Sequence, residues 1–485
     1  MRRFRRPTSV ALAEPTRDAA YQIKYQPDSS RPEGIPVGST TSFGTARRRN
    51  RPVSNPLDAI IARHKQGEPV GVTSICSAHP LVLRAAMAQA QEDGDLVLIE
   101  ATSNQVDQTG GYTGMRPADF RDLVHRAADH AGLPRERVVL GGDHLGPNRW
   151  RSLPAEQAMA RVDVLVAAYV EAGFTKIHLD CSYPCADDQT PLTDEVMASR
   201  AARMLAVAEK TAAAMGRAGE LRYVIGTEVP VPGGAEETIE ELLPTTAESA
   251  RSTLARHRAA FAEQGLDHVW PQVMALVVQP GVEFDHLRVV DYDRDRTKDL
   301  QRVLDDEPTM VFEAHSTDYQ TVPRLAALVE DHWAVLKVGP GVTFALREAL
   351  FALAAIEAEL VGEHDRSRLP EVVEQRMLAE PGQWAKYYTG DDAEQRLARR
   401  YSYSDRMRYY WPDPEIQAAE RRLLGNLADR HIPLPLLSQY LPDQYQRVRA
   451  GTLDNHPVEL VLDRIRDVLR GYRRATTSSE RRRAA

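Results

Sequence analysis

The chain has 485 residues, of which 42% are hydrophobic and 27% are charged, and its net charge is −8 at pH 7. This length and hydrophobic content suffice for a large folded core. No apolar run approaches the roughly 18 residues of a membrane span, so we expect none. Residues 1–52 carry +7 and residues 471–485 carry +4, which leaves −19 on the rest of the chain. A body this acidic argues against a nucleic-acid surface, since phosphate backbones require basic patches.

The cysteines and the N-terminus indicate the cellular compartment. Cys76, Cys181 and Cys185 form no disulfide framework, and reduced thiols are typical of the cytoplasm. The N-terminus is rich in arginine but lacks the continuous apolar stretch of a secretory signal. We therefore expect a cytoplasmic protein.

The chain divides into four parts by composition. Residues 1–54 are rich in Arg, Pro, Ser and Thr without hydrophobic periodicity, which predicts a disordered extension. Residues 55–362 alternate between strand and helix patterns and predict a (β/α)8 TIM barrel, with a short helix from Pro56 to His64 capping its floor. Residues 363–470 predict a helical C-terminal extension, serving as an oligomer contact or a partial lid. Residues 471–485 predict a disordered tail.

Eight short apolar runs, each ending in polar or ionisable residues, predict the strands of the barrel. In chain order they are VGVTSICS, LVLIEAT, VVLGGDH, KIHLD, YVIGTE, MALVVQ, MVFEAH and AVLKVG. No GxGxxG or Walker A sequence follows any of them, which argues against a dinucleotide-binding fold and against a kinase. In a (β/α)8 barrel the carboxyl ends of the strands meet at one open face, where the active site lies.

Ionisable residues at these strand ends are the candidate active-site groups. Because residues i and i+2 of a strand face the same side, Glu313 and His315 point together. Several carboxylates in one dry cavity require compensating cations, so we expect a lysine, a divalent metal, or both. Two histidines with carboxylates suit Zn²⁺ or Mn²⁺, whereas coordination dominated by oxygen favours Mg²⁺. The predicted set comprises Glu100, Asp143, His144, Asp180, Glu228, Glu313, His315 and Lys337.

Two further histidines are expected to be structural. His178 lies one layer below Asp180 on its strand, which predicts a place in the core or behind the reacting groups. His79 precedes Pro80 at a predicted helix start, which favours a structural role.

A glycine-rich segment after the eighth run predicts a phosphate site. Gly339-Pro340-Gly341-Val342-Thr343 leads directly into a helix, and barrels commonly bind phosphate on backbone N–H groups at this position. Ser316 and Thr317, after the seventh run, are placed to add hydroxyl donors. The alternative is ordinary turn chemistry. Asn104 and Asn148, in polar loops after the second and third runs, are candidates for hydrogen bonds to sugar hydroxyls.

The long motifs of this chain resemble one family, the Z subunit of class II tagatose-bisphosphate aldolase with its relatives acting on tagatose 6-phosphate. The likeness spans about residues 70–353 and is carried by SICSAHPLV, LIEATSNQVDQTGGYTGM, LGGDHLGPN, HLDCS, YVIGTEVPVPGG, VVQPGVEF, FEAHSTDYQT and LKVGPGVTFALREALFAL. Asp143-His144 also resembles the pair of class II aldolases in which a catalytic acid/base adjoins a zinc ligand. The chain departs from that pattern in lacking an obvious three-histidine set.

The resemblance implies two alternative functions. One is a metal-dependent epimerisation of a ketohexose phosphate at C4, from D-tagatose 6-phosphate to D-fructose 6-phosphate, by a retro-aldol route. The other is a non-catalytic subunit that supports the catalytic Y subunit of the aldolase. We favour the enzyme, because costly clusters of ionisable residues are expected where chemistry needs them.

For the enzyme, the residues divide by expected role. The catalytic candidates are Asp143, Glu228, Lys337, Glu100 and Asp180. The metal-ligand candidates are His144, Glu313 and His315, with Zn²⁺ expected ahead of Mg²⁺ or Mn²⁺. The expected partners are a phosphorylated ketohexose and further copies of the chain in a homo-oligomer.

Overall fold

The computed structural model describes residues 55–228 and 242–478. The predicted disordered extension, residues 1–54, lies outside this part of the chain, as do residues 479–485 of the predicted tail. The strands are β1 Val72–Ile75, β2 Val97–Thr102, β3 Val138–Leu145, β4 Lys176–Leu179, β5 Arg222–Ile225, β6 Val273–Val277, β7 Glu283–Phe284, β8 Val289–Val290, β9 Val311–Ala314 and β10 Val335–Val338.

Eight of these strands form a closed parallel barrel in the order β1-β10-β9-β6-β5-β4-β3-β2. The remaining two, β7 and β8, form an antiparallel hairpin inserted between β6 and β9. Each of the eight predicted apolar runs overlaps one barrel strand, so the predicted (β/α)8 barrel is confirmed.

Helices surround the barrel and continue into the C-terminal extension. Those of the barrel part are α1 Pro56–Lys65, α2 Pro80–Asp93, α3 Pro117–Ala131, α4 Ala155–Glu171, α5 Asp194–Ala214, α6 Ala247–Glu263, α7 Lys298–Gln301, α8 Val322–Glu330 and α9 Pro340–Leu360. Those of the extension are α10 Leu369–Ala379, α11 Asp392–Tyr401, α12 Pro414–Ala428, α13 Leu434–Tyr440, α14 Pro442–Arg449 and α15 Pro457–Thr476. None of the described helices combines the length and apolarity that crossing a membrane requires.

Local sequence signals set the helix ends. The ring of His79 accepts a hydrogen bond from the backbone N–H of Leu81 at 3.2 Å, so it caps α2, which agrees with the structural role expected of it. Pro117 opens α3, and Gly132 ends it with a φ of 68° in the left-handed region that glycine adopts without strain.

Helix α1 closes the floor of the barrel, as predicted. Its Leu57 and Ile61 pack in one apolar cluster with inward-facing residues near the strand starts, among them Val72, Val139 and Val311. Asn55 caps the helix by accepting a hydrogen bond from the backbone N–H of Leu57 at 3.0 Å. The amino ends of the strands are therefore sealed by hydrophobic packing.

The extension folds back onto the barrel. Helix α15 packs against α2, α8 and α9. Its Tyr472 hydroxyl lies 2.9 Å from the Thr317 hydroxyl, and the carbonyl of Thr476 accepts a hydrogen bond from the N–H of Gly71 at 2.9 Å. The predicted helical character of the extension is confirmed. The boundary at residue 470 is wrong, because α15 continues to Thr476 where it is held by these contacts.

Candidate active site at the barrel mouth

A network of buried ion pairs fills the barrel interior below the strand ends. Lys176 Nζ lies 2.5 Å from Glu100 Oε1 and 2.7 Å from Glu313 Oε2. Lys337 Nζ lies 2.8 Å from Glu100 Oε2 and 3.5 Å from Glu313 Oε1, and it also contacts Asp143. These five residues, which we call the lysine–carboxylate network, unite four predicted site residues with one that the prediction missed, Lys176.

The network depends on a glycine in β3. Gly141 pairs with Glu100 of β2 on one side and with Lys176 of β4 on the other. A Cβ on Gly141 would lie 2.7 Å from both Cγ and Oε1 of Glu100. The missing side chain therefore lets Glu100 cross the inner face of β3 and reach Lys176.

Lys176 escaped the sequence analysis because it begins its strand, whereas the search considered strand ends. The signal that would have found it is strand alternation, since Lys176, His178 and Asp180 fall on one face of β4 and its continuation. Burial acts to lower the pKa of Lys176, but the two adjacent glutamates outweigh burial and raise it. Lys176 is therefore a charged, fully buried partner of Glu100 and Glu313.

Above the network, three buried histidines each place one ring nitrogen against a carboxylate. The pairs are His144 Nδ1 with Asp180 Oδ2 at 2.8 Å, His178 Nδ1 with Asp143 Oδ1 at 3.0 Å, and His315 Nε2 with Glu313 Oε1 at 3.0 Å. The ring centroids lie between 4.9 and 5.3 Å apart. We call these three residues the histidine cluster.

The histidine cluster bears on two expectations. His178 contacts Asp143 and the other two histidines, which agrees with the expected place behind the reacting groups and not with a role in the core alone. Three histidines therefore lie side by side in the fold, although the sequence shows no obvious three-histidine set. The histidine cluster is assembled from β3, β4 and the end of β9, and the residue that completes it is the one judged structural from its lower position on β4.

The donor set fits a divalent cation. Asp143, His178, Glu313 and His315 each bring one donor atom within 4.8 Å of the others. The buried Nε2 of His178 has no hydrogen-bond partner among the described residues. Burial and the neighbouring Lys337 lower the pKa of His315 to about 3, so its ring is neutral, which is the form that binds a metal.

The balance of charges in the site also favours a divalent cation. Burial acts to raise the pKa of Glu313, but Lys176 and Lys337 outweigh it and hold the pKa well below its usual range. Burial is likewise outweighed at Asp143 and Asp180, where contacts with His144 contribute to a lowered pKa. Four carboxylates, those of Glu100, Asp143, Asp180 and Glu313, face two lysines, which leaves two carboxylates without a lysine counterpart. A bound divalent cation would neutralise them.

Two residues at the strand ends have backbones in the left-handed region. The φ angle of His144 is 45° and that of Ser316 is 52°. Residues other than glycine rarely adopt this conformation, and those that do concentrate at functional sites. Both side chains face the same pocket.

That pocket opens at the carboxyl ends of the strands and is lined by many of the predicted residues. They are Asn104, Asp143, His144, His315, Ser316, Lys337 and Gly339. Arg408 and Tyr409, from the C-terminal extension, also line it. The sequence analysis assigned neither of these two residues to the site.

Other predicted residues lie away from the pocket. Glu228 is exposed, and its carboxylate accepts hydrogen bonds from the hydroxyls of Thr245 and Ser249. Asn148 is half-buried in a turn and does not line the pocket. The Thr317 hydroxyl donates to a backbone carbonyl of β10 at 2.6 Å. The structure therefore does not bring Glu228, Asn148 or the Thr317 hydroxyl into the site.

The predicted phosphate loop is occupied by the protein's own side chains. Asp318 Oδ1 accepts hydrogen bonds from the N–H groups of Gly339 at 2.9 Å and Gly341 at 2.7 Å. The Thr343 hydroxyl donates to Asp405 Oδ2 at 2.6 Å. Burial raises the pKa of Asp318 to about 6. The N–H groups of Gly339 and Gly341 and the hydroxyl of Thr343 thus serve two carboxylates in this structure, and the phosphate site stays a prediction.

Comparisons with known proteins connect this geometry to a family. Residues 57–477 match the family model described as D-tagatose-1,6-bisphosphate aldolase subunit GatZ/KbaZ-like. The chain belongs to this family. It is 49% identical to a probable tagatose 6 phosphate kinase from Sinorhizobium meliloti 1021, with a TM-score of 0.77 over 84% of this chain and all of that one.

More distant structural matches are aldolases. The fructose-bisphosphate aldolase of Campylobacter jejuni is 14% identical, with a TM-score of 0.41 over 77% of this chain and 93% of that one. The YdjI aldolase of Escherichia coli K12 is 10% identical, with a TM-score of 0.39 over 76% of this chain and 97% of that one. The GatZ/KbaZ-like match itself runs from α1 through α15, so the C-terminal extension belongs to the family's fold.

Proposed function

We propose that this GatZ/KbaZ-like protein is a cytoplasmic, metal-dependent epimerase that interconverts D-tagatose 6-phosphate and D-fructose 6-phosphate. The observation that carries the proposal is the histidine cluster, whose His144 and His315 line one pocket together with Asp143 and Lys337. C4 of a 2-ketose is β to the carbonyl, so proton abstraction at C3 cannot invert it. Cleavage of the C3–C4 bond, followed by re-addition to the other face of the aldehyde, does invert it.

The histidine cluster would hold the metal. Metal-binding histidines typically donate their second ring N–H to a carboxylate, and the rings of His144 and His315 are placed to do so here. A three-histidine set suits Zn²⁺. His178 joins the predicted ligand set of His144, Glu313 and His315, because its Nε2 has no hydrogen-bond partner among the described residues and it offers a donor atom within 4.8 Å of those of Glu313 and His315. When bound, the cation would supply Lewis-acid polarisation of the ketone oxygen.

Asp143 is placed to move the proton of the C4 hydroxyl. Its Oδ1 is held by His178 and Lys337, which keep the carboxylate ionised and fixed in orientation. Its Oδ2 lies 3.6 Å from His144 Nε2 and 4.0 Å from Cys76 Sγ, distances too long for strong hydrogen bonds. This oxygen is therefore left for the substrate. It accepts the hydroxyl proton on cleavage and returns it after re-addition.

Lys337 supplies positive charge where negative charge develops. Burial acts to lower its pKa, but the surrounding carboxylates, Asp143 first, raise it well above the usual value, so the amine stays protonated. It lines the pocket and stabilises the oxyanion formed on cleavage. Lys176 lies beneath and balances Glu100 and Glu313.

The test uses the purified protein alone with D-tagatose 6-phosphate and Zn²⁺, Mn²⁺ or Mg²⁺. D-Fructose 6-phosphate should form, and Asp143→Asn should lower kcat by about 10²- to 10⁴-fold, the usual contribution of a general acid/base. The matched control is Asp163→Asn, which removes a surface partner of Arg203 and should leave kcat unchanged. A folded, metal-loaded protein that is inert with every metal would refute the proposal.

A second candidate function has one observation in its favour, the description of the family as an aldolase subunit. In that role the chain would raise the activity of a separate aldolase Y subunit. The Asp143→Asn variant would raise that activity as much as the unaltered chain does. Sedimentation of the same samples would show whether the chain forms the expected homo-oligomer or a mixed complex. A kinase activity lacks support, because the sequence contains no Walker A or kinase-type glycine loop.

A further inference from the structure

The C-terminal extension forms one wall of the pocket. Arg408 and Tyr409 belong to a 3-10 turn, Arg406–Tyr409, and both face the pocket that Lys337 lines. The ring of Tyr409 packs edge-to-face against that of Tyr112, with centroids 4.9 Å apart. The extension therefore contributes a cation and a phenol to a site otherwise built by barrel loops.

The guanidinium of Arg408 lacks a direct carboxylate partner among the described residues, and Asp318 and Asp405 act on its charge from a longer distance. Among residues 55–228 and 242–478, no carboxylate oxygen lies within ion-pair distance of it. Its Nη1 donates to the backbone carbonyls of Ser404 and Asp405, and its Nη2 donates to the Tyr409 hydroxyl at 2.8 Å. These neutral partners hold the guanidinium in place and leave its charge available to an anion.

The other cation of the pocket differs in this respect. Lys337 contacts three carboxylates, so its charge is already balanced. The N–H groups of Gly339 and Gly341 in the loop after β10 are not free to bind an anion, because they donate hydrogen bonds to the carboxylate of Asp318. In the described part of the pocket, Arg408 is thus the cationic side chain that remains for an anionic ligand.

We propose that Arg408 binds the phosphate group of the sugar substrate and selects phosphorylated over unphosphorylated ketohexoses, an inference that rests on the proposed function. A guanidinium pairs with phosphate oxygens through parallel charge-assisted hydrogen bonds, which a neutral sugar cannot reproduce. The extension, and not the glycine loop, then sets the phosphate end of the substrate.

The experiment measures binding by calorimetry with the metal-loaded full chain, so it does not depend on turnover. The ligands are D-tagatose 6-phosphate, D-tagatose and inorganic phosphate. Arg408→Gln should weaken binding of D-tagatose 6-phosphate by about 10- to 100-fold, the range expected for a hydrogen-bonded charge, and leave D-tagatose binding unchanged. The matched control is Arg396→Gln, an exposed arginine of α11, which should bind all three ligands like the unaltered chain.

Arg408→Lys keeps the charge and guards against loss of folding in the glutamine variant. It should still prefer the phosphorylated sugar, with about tenfold weaker binding, because a lysine cannot form the paired contact. Unchanged affinity for D-tagatose 6-phosphate in folded Arg408→Gln, or in Arg408→Lys if the former does not fold, would overturn the proposal. So would a loss confined to inorganic phosphate. An inert chain that binds the sugar phosphate through Arg408 would refute the epimerase and leave this proposal standing.

Discussion

The two ends of the barrel are built from the same strands with opposite chemistry. At the floor, Leu57 of α1 packs with inward-facing Val311 of β9 and Val335 of β10. Two residues further along the same strands, the inward positions hold Glu313 and Lys337. The change from apolar to charged takes one step of strand alternation.

This contrast separates stability from chemistry. The floor gains free energy by removing apolar surface from water, whereas the mouth buries charges that cost free energy unless each one is paired. A cavity of about 350 Å³ near the floor is lined by residues such as Arg63, Val70 and Arg473, and by no member of the histidine cluster. The chain therefore accepts buried charge at the end where the strand tips converge, as catalytic barrels do.

The largest expected effect on stability comes from removing the deepest charge of the mouth. Lys176→Met removes one of the two lysines that contact Glu100 and Glu313 and should lower the free energy of unfolding by about 3–5 kcal/mol. Urea unfolding at a fixed zinc concentration measures this loss. Adding Glu100→Gln to Lys176→Met should recover part of it, because the two residues are directly coupled. A loss below about 1 kcal/mol would show that Glu100 and Glu313 do not depend on Lys176 for the stability of the fold.

A substitution at the floor should change the stability of the protein and leave its catalytic rate unchanged. Leu57 is fully buried, so Leu57→Ala should lower the free energy of unfolding by about 2–5 kcal/mol by leaving a cavity. The kcat of the folded fraction should stay within about twofold of the unaltered value, since the site lies at the other end. The control Leu378→Ala, at an exposed position of α10, should change stability by less than about 0.5 kcal/mol. A loss of kcat without a loss of stability would contradict the separation of the two ends.

The smallest effect concerns pH and a buried carboxyl at the mouth. Burial raises the pKa of Glu283 from 4.5 to about 7. Between these values the folded state keeps a proton that the unfolded state has lost, so this residue lowers stability as pH rises through that window, and its contribution is constant above it. We therefore compare the free energy of unfolding of Glu283→Gln with that of the unaltered chain at each pH. The difference should favour the variant by about 1–3 kcal/mol more at pH 8 than at pH 5.

Urea unfolding at the two pH values checks this prediction. Glu363→Gln, at an exposed position, should show the same difference from the unaltered chain at both pH values. Equal differences for Glu283→Gln as well would mean that its carboxyl is not protonated in the folded protein.

The sequence by itself determined the barrel and the core of its site. Apolar runs with polar ends are local patterns, and strand alternation alone predicts that Glu100, Asp143, Glu313 and Lys337 share the interior. The floor helix from Pro56 followed from the same kind of local signal. These features depend on residues that are neighbours in the chain, so no knowledge of tertiary contacts was required.

Tertiary structure decided which residues complete the site. His178 joins His144 and His315 because three separate strand ends converge, a distance that no spacing in the sequence encodes. Asp318 takes the loop amides assigned to phosphate, and Arg408 reaches the pocket from more than sixty residues beyond the last strand. Each of these outcomes is a competition between side chains for one donor or one space, and only the folded arrangement settles which side chain is nearest.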